Sequence, residues 1–169
     1  ITNSEFRDNY GSRIGVIIVI DFSIATVINS SFLDNTAMIE AAAIHVQDSS
    51  MLTIKKSKFM NNHSGNMAGA IEAINYCEVI IDNSTFINNT AIVQAGVIQI
   101  ETNSSLFLIN SEFRYNHAND SSAILIQYNS EGFIGNCKFY NNTAGYDTGA
   151  IEVSTNSTLR VSNSEFMNN

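Results

Sequence analysis

Two windows of the chain, Ser57-Lys58-Phe59-Met60-Asn61-Asn62 and Ser84-Thr85-Phe86-Ile87-Asn88-Asn89, place serine, phenylalanine and asparagine identically. Moving outward from them, the phenylalanine recurs at a nearly constant interval as Phe6, Phe32, Phe59, Phe86, Phe113, Phe139 and Phe166. Three positions after each stands Asn9, Asn35, Asn62, Asn89, Asn116, Asn142 or Asn169. Seven matches out of seven exclude composition as the source, even in a chain with 23 asparagines. Two positions before the Phe is serine, except for Cys137. A second column, Ile17, Ile44, Ile71, Ile98, Ile124 and Ile151, keeps a constant offset to the next Phe, from Ile44 to Phe59 as from Ile71 to Phe86. Apolar pairs such as Val79/Ile81 and Leu106/Leu108 fill the interval. Such a period is the signature of a solenoid.

Within each period the apolar residues alternate at period two, which predicts strands with one face buried. No segment has the helical period of an amphipathic helix. The expected fold is therefore all-β: a right-handed parallel β-helix of about six coils of 26–27 residues, with three short strands per coil. Coils about 4.8 Å apart give six periods a height of about 29 Å. The Phe column is expected to stack inside. The Asn column is expected to mark a corner, where asparagine tolerates left-handed backbone and can hydrogen-bond along its own stack. The chain has no proline, as expected where strands need their N–H groups on both sides.

Composition narrows the partners. The 169 residues carry 8 Lys+Arg against 16 Asp+Glu, a net charge of −8. That balance argues against nucleic acid and anionic membrane surfaces. No apolar run reaches the roughly 18 residues of a membrane span, so direct membrane insertion is not expected. At 44% hydrophobic residues the chain is no disordered tail. It starts part-way through a repeat at Ile1 and stops on a corner at Asn169. Residues 1–169 are accordingly expected to be one β-helix segment, a window on a longer repeat protein. Flanking coils of the same chain, or copies stacked end to end, are its expected partners.

Phe-x-x-Asn in every repeat, with Gly-Ala-Ile at 69–71 and 149–151, resembles the repeats of polymorphic outer-membrane proteins. That family belongs to the pectin-lyase-like β-helix superfamily. The resemblance spans the whole chain and implies a surface-exposed β-helix with an adhesive role. The first glycine of the family's fuller Gly-Gly-Ala-Ile motif is replaced throughout, by Ala68 and Thr148 before the two best copies.

Cys77 and Cys137 lie in different columns two coils apart, about 10 Å along the axis and too far for a disulfide. Asn-x-Ser/Thr sequons occur at Asn29, Asn62, Asn83, Asn88, Asn103, Asn119, Asn141 and Asn156. Such a site accepts an N-glycan only on an exposed loop of a secreted protein. Asn88, Asn103, Asn119, Asn141 and Asn156 are the expected glycan carriers. Asn62 falls in the inward corner column, and Asn29 and Asn83 in the column before Phe, which argues against those three.

Catalytic constellations are sparse. Asp21 and Asp48 share a column one coil apart, close enough to share a cation or a proton. The column Ile18, His45, Glu72, Gln99, Leu125, Glu152 sets His45 beside Glu72, expected to be an exposed cross-strand pair. His63 and His117 sit in turns with no metal spacing. The run Glu5, Ser31, Lys58, Thr85, Glu112, Lys138, Glu165 reads as a surface charge ladder. No catalytic residue, metal or other cofactor is expected. The function expected is a non-enzymatic, extracellular structural or adhesive segment, on the cell surface or in a fibre. A carbohydrate-binding or polysaccharide-cleaving β-helix is the alternative. If the Phe column is the core, Phe86→Ala costs about 3–5 kcal/mol in a denaturant titration, and an exposed phenylalanine costs far less.

Overall fold

The structure, a computed structural model, describes residues 1–121 and 123–169. Among the described residues there are strands and turns only, arranged in four parallel sheets whose members recur once per coil. A central coil runs Ile44–Gln47, Met51–Lys55, Lys58–Met60 and His63–Ser64 before its turn leads into the next coil at Ile71. Each strand pairs in parallel with its equivalents in adjacent coils, so Phe59 lies between Phe32 and Phe86. The three expected strands per coil are present. The two-residue His63–Ser64 ladder adds a short fourth wall.

The Phe column lines the interior. Phe32, Phe59, Phe86, Phe113 and Phe139 are fully buried, and successive rings stack with centroids 4.6–4.9 Å apart. This distance is one coil spacing and falls in the favourable range for offset aromatic pairs. Leu52/Ile54 and Val79/Ile81 of the longest strands, with Ile44 and Ile71 of the isoleucine strands, complete the core.

The corner is built differently from the sequence expectation. The ladder asparagines are not the left-handed residues. Those are their immediate predecessors Asp8, Asp34, Asn61, Asn88, Tyr115, Asn141 and Asn168, at φ 53–57°. The left-handed residue turns the chain so that the following asparagine points inward. Asn35, Asn62, Asn89, Asn116 and Asn142 are completely buried. Each amide there is saturated. Asn89 Oδ1 accepts the backbone N–H of Asn62 at 3.1 Å and its Nδ2 at 2.9 Å. Asn89 Nδ2 donates to Phe59 O and to Asn116 Oδ1, each at 3.1 Å. A group with two donors and two acceptor sites thus leaves none unpaired in the interior.

Two serine ladders support the other corners. Ser57 Oγ accepts the N–H of Ser30 at 3.2 Å and donates to Lys55 O at 2.9 Å. The second ladder, Ser23, Ser50, Ser104, Ser130 and Ser157, works through the same N–H to Oγ bonds at 3.0–3.2 Å. Both cysteines replace a serine in these ladders, Cys77 in the second and Cys137 in the first. They are free and buried, their thiols donate to Ile74 O and Gly135 O, and burial pushes both thiol pKa values up. The glycine of Gly-Ala-Ile has a steric origin, because a Cβ on Gly69 would stand 2.0 Å from the carbonyl oxygen of Gly96 in the next coil.

The ladder sets a sharp contrast between neighbours. Asn89→Ala strands the Asn62 N–H, takes one acceptor from Asn62 Nδ2, and takes one donor each from Phe59 O and Asn116 Oδ1, so we expect a loss of about 3 kcal/mol or more. Asn88→Ala removes an exposed amide, its solvent-accessible hydrogen bond to Asn61 Oδ1 at 2.9 Å and a left-handed preference, about 1 kcal/mol. Urea unfolding of the two variants checks the order.

Candidate functional site

Two places on the coil stack concentrate chemistry. The first lies on the outer face of the isoleucine strands. His45 and Glu72 are neighbours in register across Ile44–Gln47 and Ile71–Ile74. The expected exposed pair is instead buried: His45 is 0% and Glu72 1% exposed. The turns after the short ladder fold over this face. Glu40 reaches His45, Gln94 bonds Gln99, and Ser121 bonds Glu152. The central isoleucine strands, from Ile44–Gln47 to Ile124–Gln127, are therefore buried on both faces, and the column His45, Glu72, Gln99 is an internal polar stripe.

Within it, His45 Nδ1 lies 3.0 Å from Glu72 Oε2 and 3.4 Å from Glu40 Oε2. His45 Nε2 lies 3.1 Å from Gln47 Oε1. Gln47 Nε2 in turn donates to Asp48 Oδ2 at 3.0 Å, which aims the Gln47 carbonyl oxygen at the imidazole. Glu40 Oε1 is held by Arg13 at 2.7 Å, while Glu40 Oε2 accepts no hydrogen bond among the described residues. Burial alone lowers the proton affinity of His45, but the hydrogen bond and charge of Glu72, aided by Gln47 and Glu40, raise it overall. Burial raises the Glu72 carboxyl against the pull of His45. The pair thus keeps a proton to higher pH than its parts would.

The second place is the outer face of the longest strands. Phe107 and Phe133 lie outside the Phe ladder, in register across Ser105–Ile109 and Glu131–Gly135. Their rings stack at 5.1 Å and 14°, with Phe107 43% exposed. They floor a groove of about 430 Å³ edged by Glu78, Glu131, Thr158 and Arg160. An adjoining hollow shares Glu78 and Glu131 and is bordered by Tyr76, Asn103, Asn129 and Asn156. Two phenylalanines one period apart and out of the ladder register were visible in the sequence, and their outward column was the missed signal. Glu40 left no comparable trace, because it belongs to a turn rather than a ladder.

The other candidate residues are dispersed. Asp48 accepts amide hydrogens from Gln47 and, at 3.0 Å, from Asn75, and it lines neither groove. His63 Nδ1 meets Thr90 Oγ1, and His117 Nδ1 meets Thr143. In the charge column, Glu112, Lys138 and Glu165 stand in register. Among the described residues the carboxylates nevertheless bind elsewhere, Glu112 to Arg114 and Glu165 to Tyr140. Of the sequon asparagines, Asn88, Asn103, Asn119 and Asn156 are exposed, Asn141 is half-buried, and Asn62 is buried in the ladder. Asn29 and Asn83 differ from expectation. They occupy left-handed corners at φ 48° and 51° and are exposed, because the chain turns outward there before it enters the Phe strand. No helix is long and apolar enough to cross a membrane among the described residues.

A family model described as right-handed beta helix region matches residues 15–169, and the chain belongs to that family. No curated protein and no solved structure matches it.

The His45–Glu72 pair has a pH signature. A group whose proton affinity rises on folding stabilises the fold in its protonated state. In chelator-treated buffer, stability is therefore greatest below the ordinary imidazole value of 6.5 and declines as pH rises through the folded value. Denaturation midpoints at a series of pH values should show that decline in the wild type and a flatter profile in His45→Gln.

Proposed function

We propose that this chain is a non-enzymatic, extracellular β-helical repeat segment with a structural and adhesive role, and that its adhesive surface is the Phe107–Phe133 groove. The observation that carries the reading is the stacked aromatic pair of exposed Phe107 and half-buried Phe133 with Glu78, Glu131 and Arg160 around it. Aromatic faces carry negative charge density and so attract the polarised C–H face of a sugar ring. Carboxylates and a guanidinium at the edge can fix its hydroxyls. A concave site with an apolar floor and a few convergent polar groups is the general form of a binding pocket. The coil stack supplies a stiff platform, since each repeat is braced by both neighbours.

The resemblance of Phe-x-x-Asn to surface-exposed polymorphic outer-membrane protein repeats supports a cell-surface location. The exposed sequons at Asn88, Asn103, Asn119 and Asn156, with half-buried Asn141, support a secreted glycoprotein carrying sugar at these five positions. Flanking coils or stacked copies would extend the platform, and neither nucleic acid nor direct membrane insertion enters this reading. Polysaccharide cleavage is the second reading. Glu78 and Glu131, two coils apart in one column, bracket the same groove as Arg160.

Affinity electrophoresis through gels cast with neutral and acidic polysaccharides separates these readings. We expect retardation by at least one polymer, its loss in the Phe107→Ala/Phe133→Ala double variant, and no new reducing ends. Retardation unchanged in the double variant contradicts the groove. Reducing ends that vanish in Glu131→Gln establish cleavage instead.

A further inference from the structure

We propose that Glu40, His45 and Glu72 form a binding site for one divalent transition-metal ion, of the zinc class, that staples a covering turn onto the isoleucine sheet. The ligand atoms would be Glu40 Oε2, His45 Nδ1 and Glu72 Oε2. All three residues are buried, and one ligand atom from each lies within 4.8 Å of the others.

The tautomer of His45 carries the argument. Gln47 presents its carbonyl oxygen to Nε2, because its own NH₂ group is engaged by Asp48. Nε2 therefore carries the hydrogen. In the neutral imidazole this leaves the Nδ1 lone pair facing two carboxylate oxygens, at 3.0 and 3.4 Å. Three electron pairs converging in a buried space call for a proton or a cation among them. A proton on Nδ1 satisfies Glu72 but leaves Glu40 Oε2, on a residue 7% exposed, without a hydrogen bond. A metal ion uses all three.

The spacings suit one. Ligands at about 2.0–2.1 Å around a four-coordinate ion are about 3.3 Å apart, close to the 3.0 and 3.4 Å that separate His45 Nδ1 from the two carboxylate oxygens. One imidazole and two carboxylates suit zinc and similar first-row ions better than calcium, which takes oxygen ligands alone. The outer shell is also in place. Gln47 orients the imidazole through its second nitrogen and Arg13 holds the far oxygen of Glu40, the usual supports of metal ligands. Two carboxylates and one guanidinium leave a single net negative charge to meet the ion. The Arg13 side chain is 67% exposed, so the Glu40 side of the site is the way in.

Glu40 comes from a turn, and His45 and Glu72 come from adjacent strands of two coils. An ion there ties three separate segments together, and one that binds only the folded chain raises its stability.

The test is equilibrium dialysis of chelator-stripped protein against zinc chloride, with metal quantified per chain, and cobalt(II) as a spectroscopic probe. We expect one zinc per chain, a raised melting temperature, and visible cobalt bands of a four- or five-coordinate nitrogen/oxygen site. Glu40→Gln, which keeps the side chain's shape, and His45→Gln should each weaken binding at least tenfold. The double variant His63→Ala/His117→Ala should bind as the wild type does. If Glu40→Gln and His45→Gln do not fold, the surface-histidine variant and the cobalt spectrum decide. The proposal is overturned by no stoichiometric zinc, by binding that survives in folded His45→Gln, or by binding lost with His63 and His117. In the first of these cases His45 holds a proton instead.

Discussion

The structure depends on one constraint: parallel strands exchange hydrogen bonds only with the coil above and the coil below, at a fixed spacing of about 4.8 Å. Whatever one coil places at a corner, its neighbours must be able to pair with at that distance. An inward polar side chain is tolerable only if it can bond to a copy of itself. Asparagine satisfies this because its amide has an oxygen acceptor on one side and two donors on the other. Each ladder amide accepts from one neighbouring coil and donates onward to the other, as Asn35, Asn62 and Asn89 do in succession. The stacked phenylalanines obey the same spacing through their ring faces. The serine hydroxyls obey it by accepting one N–H from the adjacent coil. Repetition in the sequence is the chemical consequence of repetition in space.

This is also why so much of the fold was legible in the residues alone. A ladder position needs the same side chain in every coil, so it appears as a column, and Phe-x-x-Asn set the coil length and register. The details that escaped depend on backbone geometry or on segments outside the ladders. Which of two adjacent corner residues is left-handed is decided by the turn, so Asn61 rather than Asn62 takes that conformation. The exposure of Asn29 and Asn83, whose place in the column before Phe argued against them, has the same origin in left-handed corners. The burial of His45 and Glu72 depends on a turn that doubles back over the sheet. That turn contributes Glu40, which has no counterpart one period away and so left no column. The run Ala41-Ala42-Ala43, all buried, was the available hint, since small residues permit that close approach.

The outer surface divides into two kinds of wall. Over the isoleucine strands the turns seal a polar stripe inside the protein, where each donor and acceptor must find a partner or an ion. Over the longest strands nothing covers the sheet among the described residues, and Phe107 and Phe133 remain open beside carboxylates and a guanidinium. The first wall is suited to holding the coils together, and the second to meeting another molecule. A sugar on Asn103 or Asn156 would stand at the edge of the second, and under the proposed function it would limit access to that groove.

The central claim is that buried asparagine amides, saturated along the stack, hold the coils in register. Hydrogen exchange of the asparagine side-chain amides, followed residue by residue by NMR, tests it most directly. The Nδ2 protons of Asn62, Asn89 and Asn116 should exchange as slowly as the backbone amides of the Phe strands, while those of the exposed Asn88 exchange rapidly. Exchange at Asn89 as fast as at Asn88 would contradict the account.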